Sequence, residues 1–330
     1  MQLFIDTNIL LSFYHFTGDD LEELKKLIVL LEQKKLQLYL PSQVVNEFKR
    51  NREVKIADAL KKLKDQHLNL QFPQICKDYP QYVSLRELQK QYGALHAELL
   101  NKLTEDIRQF SLKADGIISQ LFKLAEKVPC TTALVQRARD RAQLGNPPGK
   151  EGSLGDAVNW EALLAAVPEK AELHFITDDK DYSSPLDEED FSWFLVEEWA
   201  TTKKSDLVFY KRLSAFFKEH FPHIKLATEL EKDLLIQAFA NSGSFSSTHA
   251  HIAKLSKYSD FTPAQLNAIV AAGIANSQIS SIIGDNDVHE FLTNVVTGNA
   301  EVIDEDNLMI LNHLLDPPQR AADDDDDIPF

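Results

Sequence analysis

The stretch Phe4-Ile5-Asp6-Thr7-Asn8-Ile9-Leu10 decides how the rest of the chain is read. Gln2 to Ile5 has the continuous apolar character of a short buried strand, and it ends on a carboxylate followed by two turn-forming polar residues. Leu21, Leu24, Leu27, Ile28 and Leu31 then recur at helical spacing, which predicts a helix over about 20–32. Gln37 to Leu40 reads as a second strand stopped by Pro41, with Ser42 as the expected cap of a long helix carrying Val44, Val45, Glu47 and Phe48. Much later, Leu173-His174-Phe175-Ile176 repeats the opening pattern, an apolar run that ends at Thr177-Asp178-Asp179. Leu207 to Tyr210 is a further strand candidate, with a helix after it from Leu213 to Phe221. Strands alternating with helices predict an α/β domain with a mainly parallel sheet.

Two helical stripes interrupt that alternation. One holds Ile56, Leu60, Leu63 and Leu70; the other runs through Leu85, Leu88, Tyr92, Leu95, Leu99, Leu103, Ile107 and Phe110, with Pro73 and Pro80 between them. The pattern predicts an antiparallel helical hairpin, inserted at about 54–130, whose leucines pack the hairpin itself. Asn146-Pro147-Pro148-Gly149 is a loop, and the chain stays open until Gly155-Asp156, where a Trp160-bearing helix begins. Beyond about Thr228 the sequence becomes helical throughout, with a capping box at Thr262-Pro263-Ala264-Gln265. The expected layout is an α/β domain over 1–225, a small all-α domain over 226–316 and an acidic disordered tail over 317–330.

The 330 residues carry a formal charge of −16, which at first sight opposes a phosphate-bearing partner. The acidity is localised. From Asp285 to the C-terminus there are thirteen acids against Arg320 alone, a charge of −12 that leaves −4 for residues 1–284. Within that remainder Lys49 to Lys64 holds seven bases and two acids. Two cysteines exclude a disulfide scaffold and most structural zinc sites, no apolar run reaches the length of a membrane span, and the N-terminus has no basic leader. These features point to a soluble, cytoplasmic protein.

Four acids stand where ligand sites gather in an open parallel sheet, outside the carboxyl ends of strands or at helix starts: Asp6, Glu47, Asp156 and Asp179. Brought together, they would repel one another unless cations neutralised them, and hard oxygen donors suit one or two Mg²⁺ or Mn²⁺ ions. Such ions support phosphodiester hydrolysis by activating water and stabilising developing charge. Each acid also has a plainer reading, as a turn former, a helix cap or a solvated helix residue. Lys49, Arg50, Arg52 and Lys55 directly follow Glu47, and Arg137, Arg139 and Arg141 approach Asp156, so these bases are candidates for phosphate contacts or, equally, for solvated helix faces.

Phe4-Ile5-Asp6-Thr7-Asn8-Ile9-Leu10, Pro41-Ser42-Gln43-Val44-Val45-Asn46-Glu47-Phe48, Gly155-Asp156 and Phe175-Ile176-Thr177-Asp178-Asp179 resemble, in order, the motifs of the PIN domain. The resemblance covers about residues 1–220. It implies a doubly wound α/β nuclease fold, a metal-dependent active site and, as in most characterised members, RNA as the nucleic acid cut. It makes Asp6, Glu47, Asp156 and Asp179 the acidic quartet, with Asp178 and Asp181 as auxiliary acids and Asn8 and Thr177 orienting carboxylates. Asn8 reads equally as a turn former. The long helical insertion departs from a minimal PIN domain and resembles a mostly uncharacterised subfamily. A structure-specific DNA nuclease, a non-catalytic scaffold and a toxin or defence effector are the alternatives, and the insertion or the C-terminal domain is where a second copy or a regulatory protein would bind.

Overall fold

The computed structural model describes residues 1–15, 21–66, 68, 71–149, 154–222 and 224–316, so Leu70, Lys150 and the acidic tail lie outside the described residues. Met1–Lys225 forms one unit and Leu226–Phe330 another. The first unit runs β1 (Gln2–Ile5), α1 (Thr7–Ser12), α2 (Leu21–Glu32), β2 (Gln37–Pro41), α3 (Ser42–Lys64), α4 (Pro80–Gln109), α5 (Lys113–Leu124) and β3 (Glu126–Val128). It continues with α6 (Thr132–Gln143), α7 (Gly155–Ala166), β4 (Leu173–Ile176), α8 (Trp193–Lys203), β5 (Leu207–Tyr210) and α9 (Leu213–His220).

The five strands pair in parallel in the order β3-β2-β1-β4-β5. Leu3 lies between Leu38 and His174, and Phe4 between Tyr39 and Phe175. Both faces of the central strands are covered by helices, which is why β1 and β4 are buried almost throughout. The order turns back between β1 and β4, the switch point at which a doubly wound sheet leaves a crevice. Side chains of β4 alternate between two aromatic layers. Phe175 stacks with Phe4 and Trp160, and Trp160 with Trp199; His174, on the opposite face, meets Phe216 and His220.

Three expectations change. The strand Glu126–Val128 has two charged residues in three and gave no apolar signal; it lies at the sheet edge, where only Val128 is buried. Ser42 does not cap α3, because Pro41 holds the cap position and the Ser42 hydroxyl donates to the Val128 carbonyl at 3.2 Å. The insertion is also shorter than 54–130: α5 packs on α2 through buried Ala114, Ile118 and Leu121, so the excursion consists of the end of α3, α4 and their connection.

In that excursion His96 Nε2 meets the Leu63 carbonyl at 2.8 Å, and Leu103 and Ile107 share an apolar cavity of about 370 Å³ with Ile56, Leu60 and Leu63. Among the described residues, which leave out Leu70, the rest of the expected leucine packing does not form. No residue of α4 is buried, since α3 ends at Lys64, opposite His96, and offers no surface to the outer part of the longer helix.

The second unit comprises α10 (Ala227–Ala240), α11 (Phe245–Leu255), α12 (Pro263–Ala275), α13 (Ser277–Ser280), α14 (Asn286–Val296) and α15 (Glu305–Leu315) around Phe239, Ile269, Val270, Leu292 and Leu311. The Thr262 capping box forms, with Thr262 Oγ1 accepting from the Gln265 amide and Gln265 Oε1 from the Thr262 amide. Among the described residues, no helix is long and apolar enough to cross a membrane.

Burial of His174, with His220 and the N-terminal ammonium adding to it, holds its imidazole down at about 4 against the opposing pull of Glu219. A histidine depressed in the fold gives stability that is complete above its ordinary value near 6.5 and is lost as pH falls toward 4. The thermal midpoint of the protein is therefore expected to drop across that window, and His174→Phe to flatten the drop. Parallel profiles for the two proteins in differential scanning calorimetry would refute the assignment.

Candidate functional site

Asp6 stands at the switch point, one residue beyond β1. Its backbone N–H donates to the Ile176 carbonyl at the end of β4 (2.9 Å), so the strand pairing itself fixes where the side chain begins. The carboxylate is almost wholly buried. Its Oδ1 accepts from the Thr7 amide at 2.7 Å, and its Oδ2 accepts from the Thr177 hydroxyl at 2.6 Å. Thr177 Oγ1 in turn accepts from the Asp179 amide (3.0 Å), and Asp179 Oδ1 from the Asp181 amide (3.0 Å). The turn after β4 is thereby wound against the end of β1, with Asp179 on the same edge as Asp6.

Asp156 lies in the first turn of α7, where the helix N-terminus favours negative charge, and Leu154 rather than Asp156 holds the cap position. The preceding Gly155 explains how α7 meets α3. A methyl group there would come within 3.0 Å of Gln43 Nε2 and 3.7 Å of Glu47 Oε2. The glycine thus lets the start of α7 approach the Glu47 carboxylate closely. Tyr182, fully buried against Phe175 and Phe191, aims its hydroxyl at Asp156 Oδ1 (3.3 Å).

These carboxylates interact. Burial, then Asp156, then Glu47 push Asp6 up to about 8, against the opposing hydrogen bonds from Thr177 and Thr7. Burial pushes Asp156 up to about 7, with Asp179, Glu47 and Asp181 adding to it. Glu47 is raised by burial and by Asp179, and Arg50 offsets part of this. Asp178 is half-buried and raised mainly by burial, with Lys55 and Arg212 pulling the other way. Among the described residues, no cationic side chain forms an ion pair with Asp6 or Asp156. Nor are any three His, Cys, Asp or Glu side chains close enough to ligate one ion as they stand.

The donor set nevertheless suits a hard cation: carboxylates, partly desolvated and mutually repelling. The buried Thr7 hydroxyl adds to this. It is near enough to Glu47 to favour the charged form, yet it completes no hydrogen bond of full geometry.

Several expected site residues prove to be structural. Asn8 Oδ1 accepts from the Ile9 amide at 2.8 Å, so it serves the turn into α1, and among the described residues it makes no bond to a carboxylate. Arg52 is buried and grips Asp115 with Nε at 2.7 Å and its terminal nitrogen at 2.5 Å, while the Tyr14 hydroxyl donates to the same carboxylate. Arg141 is buried too, bonded to Glu161, Glu198 and the Pro147 carbonyl. Neither arginine is available to a phosphate. Lys49, Arg50, Lys55 and Arg139 are exposed, and Arg137, more than half exposed, touches Glu161 at 3.2 Å. Sequence reasoning missed Tyr182 and Arg212. Tyr182 follows directly on the Thr177–Asp181 run, but its burial toward Asp156 comes from tertiary packing. Arg212 lies beyond β5, far in sequence from the other bases. The apolar cavity beneath α4 contains none of the four acids and is a separate feature.

A family model described as PIN domain matches residues 3–182, just over half of the chain. No curated protein and no solved structure matches the chain.

The raised carboxylates have a cost in stability. Asp6 contributes no penalty below the ordinary carboxylate value of 3.8, and its penalty is complete once pH has risen through about 8. In chelator, Asp6→Asn is expected to melt at a higher temperature than the natural protein, by a margin that widens from pH 4 to pH 8 as in the titration window of the buried acid. A constant margin, or a less stable variant at pH 8, would show that Asp6 is not under this strain.

Proposed function

Because the chain belongs to the PIN-domain family, whose fold is of the nuclease type, we propose that it is a divalent-metal-dependent endonuclease acting on RNA. One observation supports the reading: Asp6, Glu47, Asp156 and Asp179 act on one another electrostatically, and burial with that repulsion pushes Asp6 up to about 8 and Asp156 up to about 7. That arrangement opposes stability and has no use in a scaffold.

Asp6, Glu47, Asp156 and Asp179 would hold one or two Mg²⁺ or Mn²⁺ ions, with Asp178 and Asp181 as auxiliary acids. When bound, such ions supply activation of water and stabilisation of charge on the phosphate. The protein's own groups do the positioning. Thr177 fixes the Asp6 carboxylate through its 2.6 Å hydrogen bond, and Tyr182 steadies Asp156 from beneath. Lys49, Arg50 and Lys55 on α3, with Arg212 beyond β5, would hold the nucleic-acid backbone beside the acids, and Arg137 and Arg139 would extend that track along α6. Contacts of this type select phosphate rather than base, so the sequence preference is expected to be weak. Hydrolysis would leave 5′-phosphate and 3′-hydroxyl ends.

The test uses single-stranded RNA and DNA of one sequence with Mn²⁺, Mg²⁺ or chelator. RNA is expected to be cut only with metal, and Asp6→Asn and Asp179→Asn are each expected to slow cleavage by about 100-fold or more. Alanine at Arg50, Lys55 and Arg212 together should raise KM far more than it lowers kcat, and should reduce the dependence of binding on salt. DNA cut faster than RNA would overturn the substrate. Natural protein that leaves both uncut with Mn²⁺ would overturn the enzyme.

A further inference from the structure

Helix α4 is thirty residues long and has none of them buried. Its contact with α3 runs along one row, through His96, Leu103 and Ile107, and Gln89 on the same row donates to the Leu68 carbonyl beyond the end of α3. A second row, Leu85, Leu88, Tyr92, Leu95 and Leu99, is turned roughly 70° from the first at 100° per residue. Its five side chains are 41%, 58%, 36%, 66% and 52% exposed; Tyr92, the most covered of them, stacks on His96 and donates its hydroxyl to the Gln66 carbonyl at 3.3 Å. Exposed apolar residues are ordinary when scattered, but a contiguous row of five on one helix is not.

The spacing of the row is three, four, three, four, which is the a-d repeat of a two-helix seam. We infer that this row is the interface of a two-fold dimer, in which α4 packs antiparallel against α4 of a second copy of the chain. In the register that faces a positions with d positions, Leu88 meets the partner's Leu99, Tyr92 meets the partner's Leu95, and Leu85 at the end of the seam lies against the aliphatic stem of the partner's Lys102. The two-fold axis then falls between Gly93 and Ala94.

The charges of the two halves of α4 agree with that direction. Residues 80–94 of α4 carry Arg86 and Lys90 against Glu87, and residues 95–109 carry Glu98, Glu105 and Asp106 against Lys102 and Arg108. The halves are thus +1 and −1, so an antiparallel copy sets unlike halves together and a parallel copy sets like halves together. Along the edge of the row, Gln91 faces the partner's Glu98, and no pair of like charges opposes across the seam.

The area is also sufficient. Five large side chains exposed to this degree would bury roughly 1,000 Å² over both copies, near the lower bound for a specific interface and in keeping with a micromolar dimer. The inference does not depend on the nuclease reading, because none of these residues belongs to the carboxylate site.

Sedimentation velocity on the full chain tests it. The natural protein is expected to move from the 37.4 kDa monomer to twice that mass as its concentration rises through the micromolar range. Leu88→Lys with Leu95→Lys should raise the dissociation constant about 100-fold or more, since each dimer would bury unpaired ammonium groups. Both substitutions are at exposed positions, so helicity and thermal midpoint of the monomer should not change. Direction is read with Cys76→Ser and Cys130→Ser in the background. Leu88→Cys protein mixed with Leu99→Cys protein should form a disulfide-linked pair, and neither should link to itself. A natural protein that stays monomeric at high concentration, or gains mass only with a different protein, overturns the inference. So does a double lysine variant that dimerises normally, or Leu88→Cys protein that links to itself.

Discussion

A buried carboxylate at the point where the strand order reverses is the constraint around which the first unit is built. Asp6 cannot move away from it, because its amide is part of the β1–β4 pairing and its two oxygens accept from Thr7 and Thr177. These bonds favour the ionised group, but burial and the acids around it prevail and hold the proton on. The nearby features follow from this conflict. The glycine before Asp156 lets a second helix reach the site, the Thr177 hydroxyl links the ends of two strands, and the bases of α3 approach without making a closed ion pair with Asp6 or Asp156.

Such a site needs support from elsewhere. Trp160, Phe175, Tyr182, Phe191 and Trp199 form one aromatic layer behind it, with Trp160 and Trp199 fully excluded from solvent. Large aromatic side chains gain several kcal/mol each from burial, on the order of the penalty that a strained carboxylate imposes. Two buried arginines add rigidity in a different way. Arg141 ties α6 to α7 and α8, and Arg52 ties α3 to α5, each through carboxylates that would be expensive to leave unpaired.

The strands β1, β2, β4 and β5 were legible because each is a short apolar run ending in Pro, Asp or Gly-free polar turns; Asp6 and Asp179 stood out by their places after such runs, and Glu47 and Asp156 by their places near helix starts. Strand β3 was not, since an edge position imposes almost no pattern on Glu126 and Lys127. The roles of the bases were misread for a related reason. Arg52 looks like part of a basic cluster when read along the chain, yet it falls four residues after Phe48 and four before Ile56, in the row Val44, Phe48, Arg52, Ile56 that α3 buries. Arg141 likewise follows Leu134 and Ala138 on the inner row of α6. Helical position carried the answer in both cases, but the partners Asp115, Glu161 and Glu198 are twenty or more residues away and only folding reveals them. The row on α4 has the opposite lesson: its periodicity was plain, but periodicity says that a face will be covered and not by what.

Helix α3 begins beside the β2 end of the site and continues without a break to Lys64. From Glu47 to that end it is a rod of about 25 Å, at a rise of 1.5 Å per residue. The bidentate grip of Arg52 on Asp115 holds this rod to α5 close to the end that carries Glu47, so it has a short arm carrying that residue and a long arm carrying the inserted helix. A lever of that shape reduces movement in proportion to its arms: sway of the long arm by about an ångström reaches Glu47 as less than half an ångström. The excursion can therefore bear weight at its far end while the spacing of the acids is kept.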